Sequence, residues 1–336
     1  MTTSPAGCRL HRPRVLLLRQ LGLGDLLAGV PALRAVRRGL PDHEVLLAAP
    51  EALRPLVELS GAVDILVPTG ELQPVPWAGP PPEVAIDLHG NGPASRVLLD
   101  ALGPGRTVAF AGGPPWDPDE QERDRWCRLV AWGLGVPADP DDMLLPPPAV
   151  EPPVPGAVVV HPGAASGSRR WPPERFAELA RWAVARGERV VLTGGPAEVE
   201  LAQEVRRQAG LGPDAVVAGR TDLASLAALV AAARLVVCGD TGVAHLASAY
   251  ATPSVLLFGP TPPHRWGPPR SGPHSVLWHG SGVGDPHGEA PDPALLRIRV
   301  GEVVEQAELR LREGRPRRGP AGRPARAGAP PTRSSA

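Results

Sequence analysis

The chain has 336 residues, 35 basic and 35 acidic side chains and no formal net charge, and every base is arginine. Proline (45) and glycine (39) make up a quarter of it, yet 43% hydrophobic content excludes a disordered chain. Neutrality argues against a nucleic-acid partner, which demands a basic excess.

The first strand is expected at 14–19 (RVLLLR). Arg19 ends that run long before the roughly 18 apolar residues a membrane span needs, and the run is too short for a signal peptide. The chain is therefore expected in the cytoplasm. Three scattered cysteines, Cys8, Cys127 and Cys238, fit neither a disulfide framework nor a zinc knuckle. Further strands are expected at 44–49, 63–67, 84–88 and 107–110, with helices at 25–38, 51–60, 93–102 and 120–134 between them. This alternation is the mark of βαβ units and a parallel sheet. Eight prolines in 136–156 (VPADPDDMLLPPPAVEPPVPG) forbid a regular element and make that segment an interdomain linker. The alternation then restarts, with strands at 157–161, 189–193, 215–218, 234–238 and 253–257. Helices fall at 173–186, 196–209, 222–232 and 242–250, and a last one at 293–312 is expected to pack back on the first domain. The domains are thus 1–135, the linker 136–156, and 157–312, followed by a disordered Arg/Pro-rich tail at 313–336. Two doubly wound α/β domains of similar size face each other across a cleft, so the loops after strands carry the chemistry.

Four such loops stand out. The first strand exits into Gln20-Leu21-Gly22-Leu23-Gly24-Asp25. A dinucleotide fingerprint would need Gly or Ala at position 27, which is Leu27. Asp25 is either a helix N-cap or a carboxylate facing the cleft, able to take a proton from an attacking hydroxyl. The second loop, His161 to Pro172, sets Ser166, Ser168, Arg169 and Arg170 beside small residues as an anion cradle, while Trp171 reads as packing. Thr193-Gly194-Gly195-Pro196, with Glu198 beyond it, is a plain turn or a nucleotide wall. The third loop, Gly239-Asp240-Thr241-Gly242-Val243-Ala244-His245, opens a helix whose free N–H groups suit a diphosphate. His245 lies one turn on from Thr241, on the same face. Asp240 is expected to be the cap or to accept from a ligand hydroxyl. In the fourth loop His264 and Arg265 are candidate substrate contacts and Trp266 an anchor.

Together, RQLGLGDLLAGVPALRAVRRGLPD, HPGAASGSRRWPPERFAELA, LTGGPAEVELA and AGRTDLASLAALVAAARLVVCGDTGVAHLASAYATPSVLLFGPTPPHRWGP resemble glycosyltransferase family 9, the ADP-heptose:lipopolysaccharide heptosyltransferase group. The blocks run in order from about residue 14 to 270. The resemblance implies the GT-B fold of two facing Rossmann-like domains. It also implies inverting, metal-independent transfer of a heptose-like sugar from a nucleotide-diphosphate donor to a glycan or lipid-linked acceptor, with no cofactor. By position, Asp25 matches the family's base. Ser166, Arg170, Asp240, Thr241, Gly242 and His245 match donor-binding positions, with Arg170 where many members carry lysine. Gly24, Ser168, Arg169, Gly194, Glu198, His264 and Arg265 are further candidate contacts. The paired aspartates Asp117/Asp119 and Asp139/Asp141 read as solvated charge rather than metal ligands. A monomer is expected. Arg34, Arg37 and Arg38 offer a basic face for peripheral membrane contact, or simply a solvated helix end. Rival readings are a GT-B-shaped nucleotide-sugar epimerase and a nucleotide-binding paralogue without turnover. A nicotinamide oxidoreductase lacks its third glycine.

Overall fold

A computed structural model describes residues 12–313. The first domain runs β1 (Arg14–Leu18), α1 (Leu23–Gly39), β2 (Glu44–Ala49), α2 (Arg54–Ser60), β3 (Ile65–Pro68), β4 (Val84–Asp87), α3 (Pro93–Asp100), β5 (Arg106–Val108) and α4 (Glu122–Leu134). The second runs β6 (Val158–His161), α5 (Pro173–Ala185), β7 (Val190–Leu192), α6 (Val199–Ala209), α7 (Leu223–Ala231), β8 (Leu235–Gly239), α8 (Gly242–Ala249), β9 (Ser254–Phe258), α9 (Pro263–Trp266), β10 (His274–Trp278), α10 (Pro293–Leu296) and α11 (Val300–Glu313). Each domain holds a five-stranded parallel sheet, in the orders β3-β2-β1-β4-β5 and β10-β9-β8-β6-β7.

The strands are continuous apolar runs because helices cover both faces of each sheet, leaving no solvent face to alternate with. Leu16, Leu17 and Leu18 have no exposed surface, and burial of each contributes about 1.5–3 kcal/mol. In each sheet the chain reverses its winding beside the founding strand, between β1 and β4 and between β6 and β8. Ligands of such sheets sit at that point, outside the carboxyl ends of the strands.

Three elements depart from the sequence reading. The strand expected at 215–218 is reduced to one bridge, Leu192 to Val216, and the chain turns away at Gly219 (φ +70°). Edge strand β10 was not anticipated: it is half-exposed and flanked by proline and glycine. The last helix is broken, because Trp171 Nε1 donates to the Ile298 carbonyl at 3.1 Å and Arg175 Nη1 to the Leu296 and Ile298 carbonyls at 2.7 Å. Contrary to expectation, α11 packs on the second domain: Val303, Ala307 and Leu311 join its core against α5 and β9.

The segment 136–156 holds no helix or strand, but it is strapped down. Met143, Leu145 and Val154 are buried, Arg34 and Arg38 of α1 both pair with Asp142, and Leu145 N–H donates to the Ala249 carbonyl at 2.9 Å. Arg37 pairs with Asp64. Each arginine of the basic face considered for membrane contact is therefore paired within the fold. Among the described residues no helix is long and apolar enough to cross a membrane. Glu313 closes α11, so the expected tail, from 314 on, lies outside the described residues, as does Cys8.

Candidate active site

The two domains meet at the starts of α1 and α8. Leu26, Leu27 and Val30 share one core with Ala244, Leu246 and Ala247. At the tips the approach is close enough to need glycine on both sides. A Cβ on Gly24 would lie 2.9 Å from the His245 ring, and one on Gly242 would lie 2.9 Å from the Leu23 side chain. Both helices begin where a strand ends, so both point free N–H groups at the gap.

On the first-domain side, Gly22 in extended conformation is the N-cap of α1, and Asp25 is its third residue. Asp25 is therefore not the cap. Its carboxylate keeps 29% of its surface exposed and lines the cleft. Burial raises its pKa above the ordinary carboxylate value; the Arg19 guanidinium, 3.8 Å away, opposes that, and Glu122 adds to it. A carboxylate destabilised by burial is a stronger base than one in water, which suits it to accept a proton.

On the second-domain side, Thr241 is the N-cap of α8, its Oγ1 accepting from Val243 N–H at 3.4 Å. That role passes to Thr241 from Asp240, which lies just outside the helix and is buried. Burial pushes the Asp240 pKa up to about 6, with Arg169 opposing. His245 is also buried, and burial, with Arg123, Arg19 and Arg169, pushes its pKa down to about 4. It is a neutral imidazole at pH 7, stacked edge-on to Trp266 at 5.8 Å.

Between these walls lies a cavity of about 710 Å³. Of the residues singled out from sequence, Gly24, Asp25, Arg169, Glu198, Asp240, Thr241, Gly242, His245 and Arg265 line it, and Ser166, Ser168, Arg170, Gly194 and His264 do not. Arg170 is exposed and spends Nε and Nη2 on the Ala164 carbonyl, at 3.0 and 2.9 Å. Its neighbour Arg169 is the one of the two that lines the cavity, with Nη1 3.4 Å from the Asp240 carbonyl and Nε 3.3 Å from Ser166 Oγ. Ser166 Oγ also donates to the Pro286 carbonyl, which ties this loop to the 283–287 segment on the cavity rim. Glu198 accepts from Gly195 N–H at 2.7 Å and lies 3.9 Å from His161 Nε2, and burial holds the His161 pKa low.

His264 and Arg265 both reach Asp119 of the first domain, at 2.8 Å each, while Gln121 and Arg123 donate to the Gly267 carbonyl at 3.0 Å. Asp119 is thus an interdomain tie, not free solvated charge. Trp171 is buried against Phe176, as packing requires. Among the described residues no three His, Cys, Asp or Glu side chains converge as metal ligands would. The sequence reading missed Glu120 and Arg125 from the first domain's second wall, which also line the cavity. The only hint was the run of alternating acids and arginines between Asp117 and Arg128.

Residues 149–279 match the family described as glycosyltransferase family 9 (heptosyltransferase), which bears out the resemblance carried by the motifs. Lipopolysaccharide heptosyltransferase 2 of Escherichia coli K12 is 32% identical over 159 residues, 45% of each chain. The match therefore spans less than half the length of that curated relative. Over the whole fold, the chain is similar to a family 9 glycosyl transferase of Veillonella parvula, with TM-score 0.72 and 20% identity over 92% of this chain and 100% of that one. It is also similar to E. coli ADP-heptose lipopolysaccharide heptosyltransferase II, with TM-score 0.71 and 22% identity over 89% and 99%. At such identity the likeness is one of fold: two parallel-sheet domains in the GT-B arrangement.

Proposed function

We propose that this chain, a GT-B protein whose second domain carries the family 9 match, is an inverting glycosyltransferase. Its donor is a nucleoside-diphosphate sugar, ADP-heptose-like by analogy with the relatives, and its acceptor is a hydroxyl on a glycan or lipid-linked saccharide such as lipopolysaccharide core. One observation carries the reading: a single cavity is bounded by an ionisable carboxylate on one wall and by a helix start with an arginine on the other.

The diphosphate lies against the start of α8, with Arg169 as its cation and the neutral His245 as an N–H donor. Asp240, just outside the helix, accepts from a hydroxyl of the donor, because a carboxylate beside the diphosphate would repel it. Across the gap, Asp25 takes the proton of the acceptor hydroxyl as that oxygen attacks the anomeric carbon. The bond from the anomeric carbon to the diphosphate oxygen breaks on the opposite face. Its electron pair leaves with the nucleoside diphosphate, and the centre inverts. Fixed amide dipoles and Arg169 meet the leaving charge, and no metal enters the scheme. The reaction takes place in the cytoplasm, at the membrane's inner face if the acceptor is lipid-linked.

A thermal-shift panel of nucleoside diphosphates and nucleotide sugars tests the proposal. The true donor stabilises the fold by about 2.7 kcal/mol at a hundredfold excess over its dissociation constant. A panel in which no nucleoside diphosphate shifts the transition contradicts the proposal.

A further inference from the structure

Behind Asp25 lies a set of charges for which the scheme above has no use. Arg19, at the exit of β1, has a fully buried side chain. Its Nε donates to the backbone carbonyl of Asp25 at 2.6 Å and its Nη1 to the carbonyl of Leu88. Nη2 lies 3.4 Å from Glu122 Oε1 and 3.8 Å from Asp25 Oδ1, and the guanidinium sits 4.8 Å from the Trp126 ring. Glu122 is fixed in turn by Trp126 Nε1 at 2.6 Å and by Arg125. Arg125 stands 4.3 Å over Trp116 and donates to the Asp117 and Glu120 carbonyls. Even α1 makes room: a Cβ on Gly29 would lie 2.9 Å from Arg19 Nε, so glycine is kept where alanine would favour the helix by about 0.5–1 kcal/mol.

Two buried ion pairs are a costly way to hold a helix against a sheet, since well-packed apolar residues commonly do as well or better. This set has a geometry that apolar residues would not supply. Arg19 grips the first turn of α1 by its backbone, which fixes where Asp25 points. It meets the Asp25 carboxylate only at ion-pair distance, which leaves the oxygens free for an incoming proton. Glu122 competes for the same guanidinium.

We infer that Arg19, restrained from behind by Glu122, is the positioning residue for the acceptor base, setting both the direction of the Asp25 carboxylate and its readiness to take a proton. The inference rests on Asp25 being that base. Arg19 favours the ionised form and Glu122 the protonated one. Around them face Arg125 from α4, His89 beyond β4, and His245 with Arg123 from the far side; both histidines are held low by burial.

The test compares Arg19→Met, Arg19→Lys and Glu122→Gln in the full chain. Each is followed by the pH dependence of kcat and by the carboxyl ¹³C titration of Asp25, identified by its absence in Asp25→Asn. Arg19→Met moves the Asp25 midpoint and the acid limb of kcat to higher pH, and Glu122→Gln moves both to lower pH. Arg19→Met lowers kcat up to about a hundredfold through misplacement, with donor KM within about threefold. Arg19→Lys restores the midpoint but not the full rate, because a point charge lacks the fork that holds three partners. Glu122→Gln, which keeps shape and one acceptor oxygen, serves if Arg19→Met does not fold. Midpoints that stay put, or move in the same direction in Arg19→Met and Glu122→Gln, overturn the inference. A wild-type protein that turns over no donor sinks the enzymatic reading alone, because the ¹³C titration still judges the placement of Arg19.

Discussion

The two walls of the cleft are built on opposite electrostatic plans. The first-domain wall is ionic, with Asp25 backed by buried Arg19, Glu122 and Arg125. On the second-domain wall burial opposes charge at both titratable groups beside α8, pushing His245 down to about 4 and Asp240 up to about 6. Its positive field comes from the helix start and Arg169. The difference matches two jobs. Accepting a proton needs a carboxylate that is charged yet uncomfortable, whereas binding a diphosphate needs donors aimed at it.

The largest effect that could break this contrast is on turnover. Asp25→Asn should lower the transfer rate by about 10²–10⁴-fold, measured by nucleoside-diphosphate release in the presence of acceptor. A variant retaining a tenth of the rate would leave the ionic wall without a purpose.

Next is the stability of the second-domain wall. The folded-state pKa of Asp240 lies above its unfolded value, so the native state holds the proton longer. Its ionisation therefore subtracts from stability as pH rises from about 4 to about 6. Asp240→Asn should remove that loss and raise unfolding free energy by up to about 3 kcal/mol above pH 6, read by urea denaturation, while weakening donor binding. His245 has the opposite sign. Held low, it contributes stability that is fully present above about 6.5 and is lost as pH falls towards 4. The His245→Gln variant should flatten the wild-type decline on that side. Identical pH profiles in wild type and both variants would mean that neither group is buried as described.

A smaller effect sharpens the assignment of the cation. Arg169→Ala should weaken donor binding about 10–100-fold, the worth of one charge-assisted hydrogen bond, whereas Arg170→Ala should change it less than about threefold. The reverse order would return the role to Arg170. Smallest of all, excess chelator should leave the rate within about twofold, since the scheme uses no metal. A rate abolished by chelation and restored by one divalent ion would replace the dipole wall by an ion.

Most of the fold was legible because strands buried on both faces leave uninterrupted apolar runs, such as Val158-Val159-Val160 and Leu235-Val236-Val237. The edge strand β10 escaped because it is only partly buried and its short apolar run, Val276-Leu277-Trp278, sits between proline- and glycine-rich turns. The loops after β1, β6 and β8 could be chosen in advance, since strand ends at a winding reversal must face the cleft. Which of two adjacent arginines turns inward could not, because that depends on the short helical turn at 167–169 and on the Ala164 carbonyl that captures Arg170. Nor could the ion set behind Asp25: Arg19 and Glu122 are 103 residues apart and meet only because α4 packs against α1.

The contrast between the walls is tested most directly by calorimetric titration of a nucleoside diphosphate into wild type and Asp25→Asn side by side. The account predicts dissociation constants within about threefold of each other, because the diphosphate rests on α8 and Arg169 while the acid acts across the gap. A tenfold or greater loss of affinity in Asp25→Asn would place that carboxylate in the donor's own binding site and contradict the division of labour.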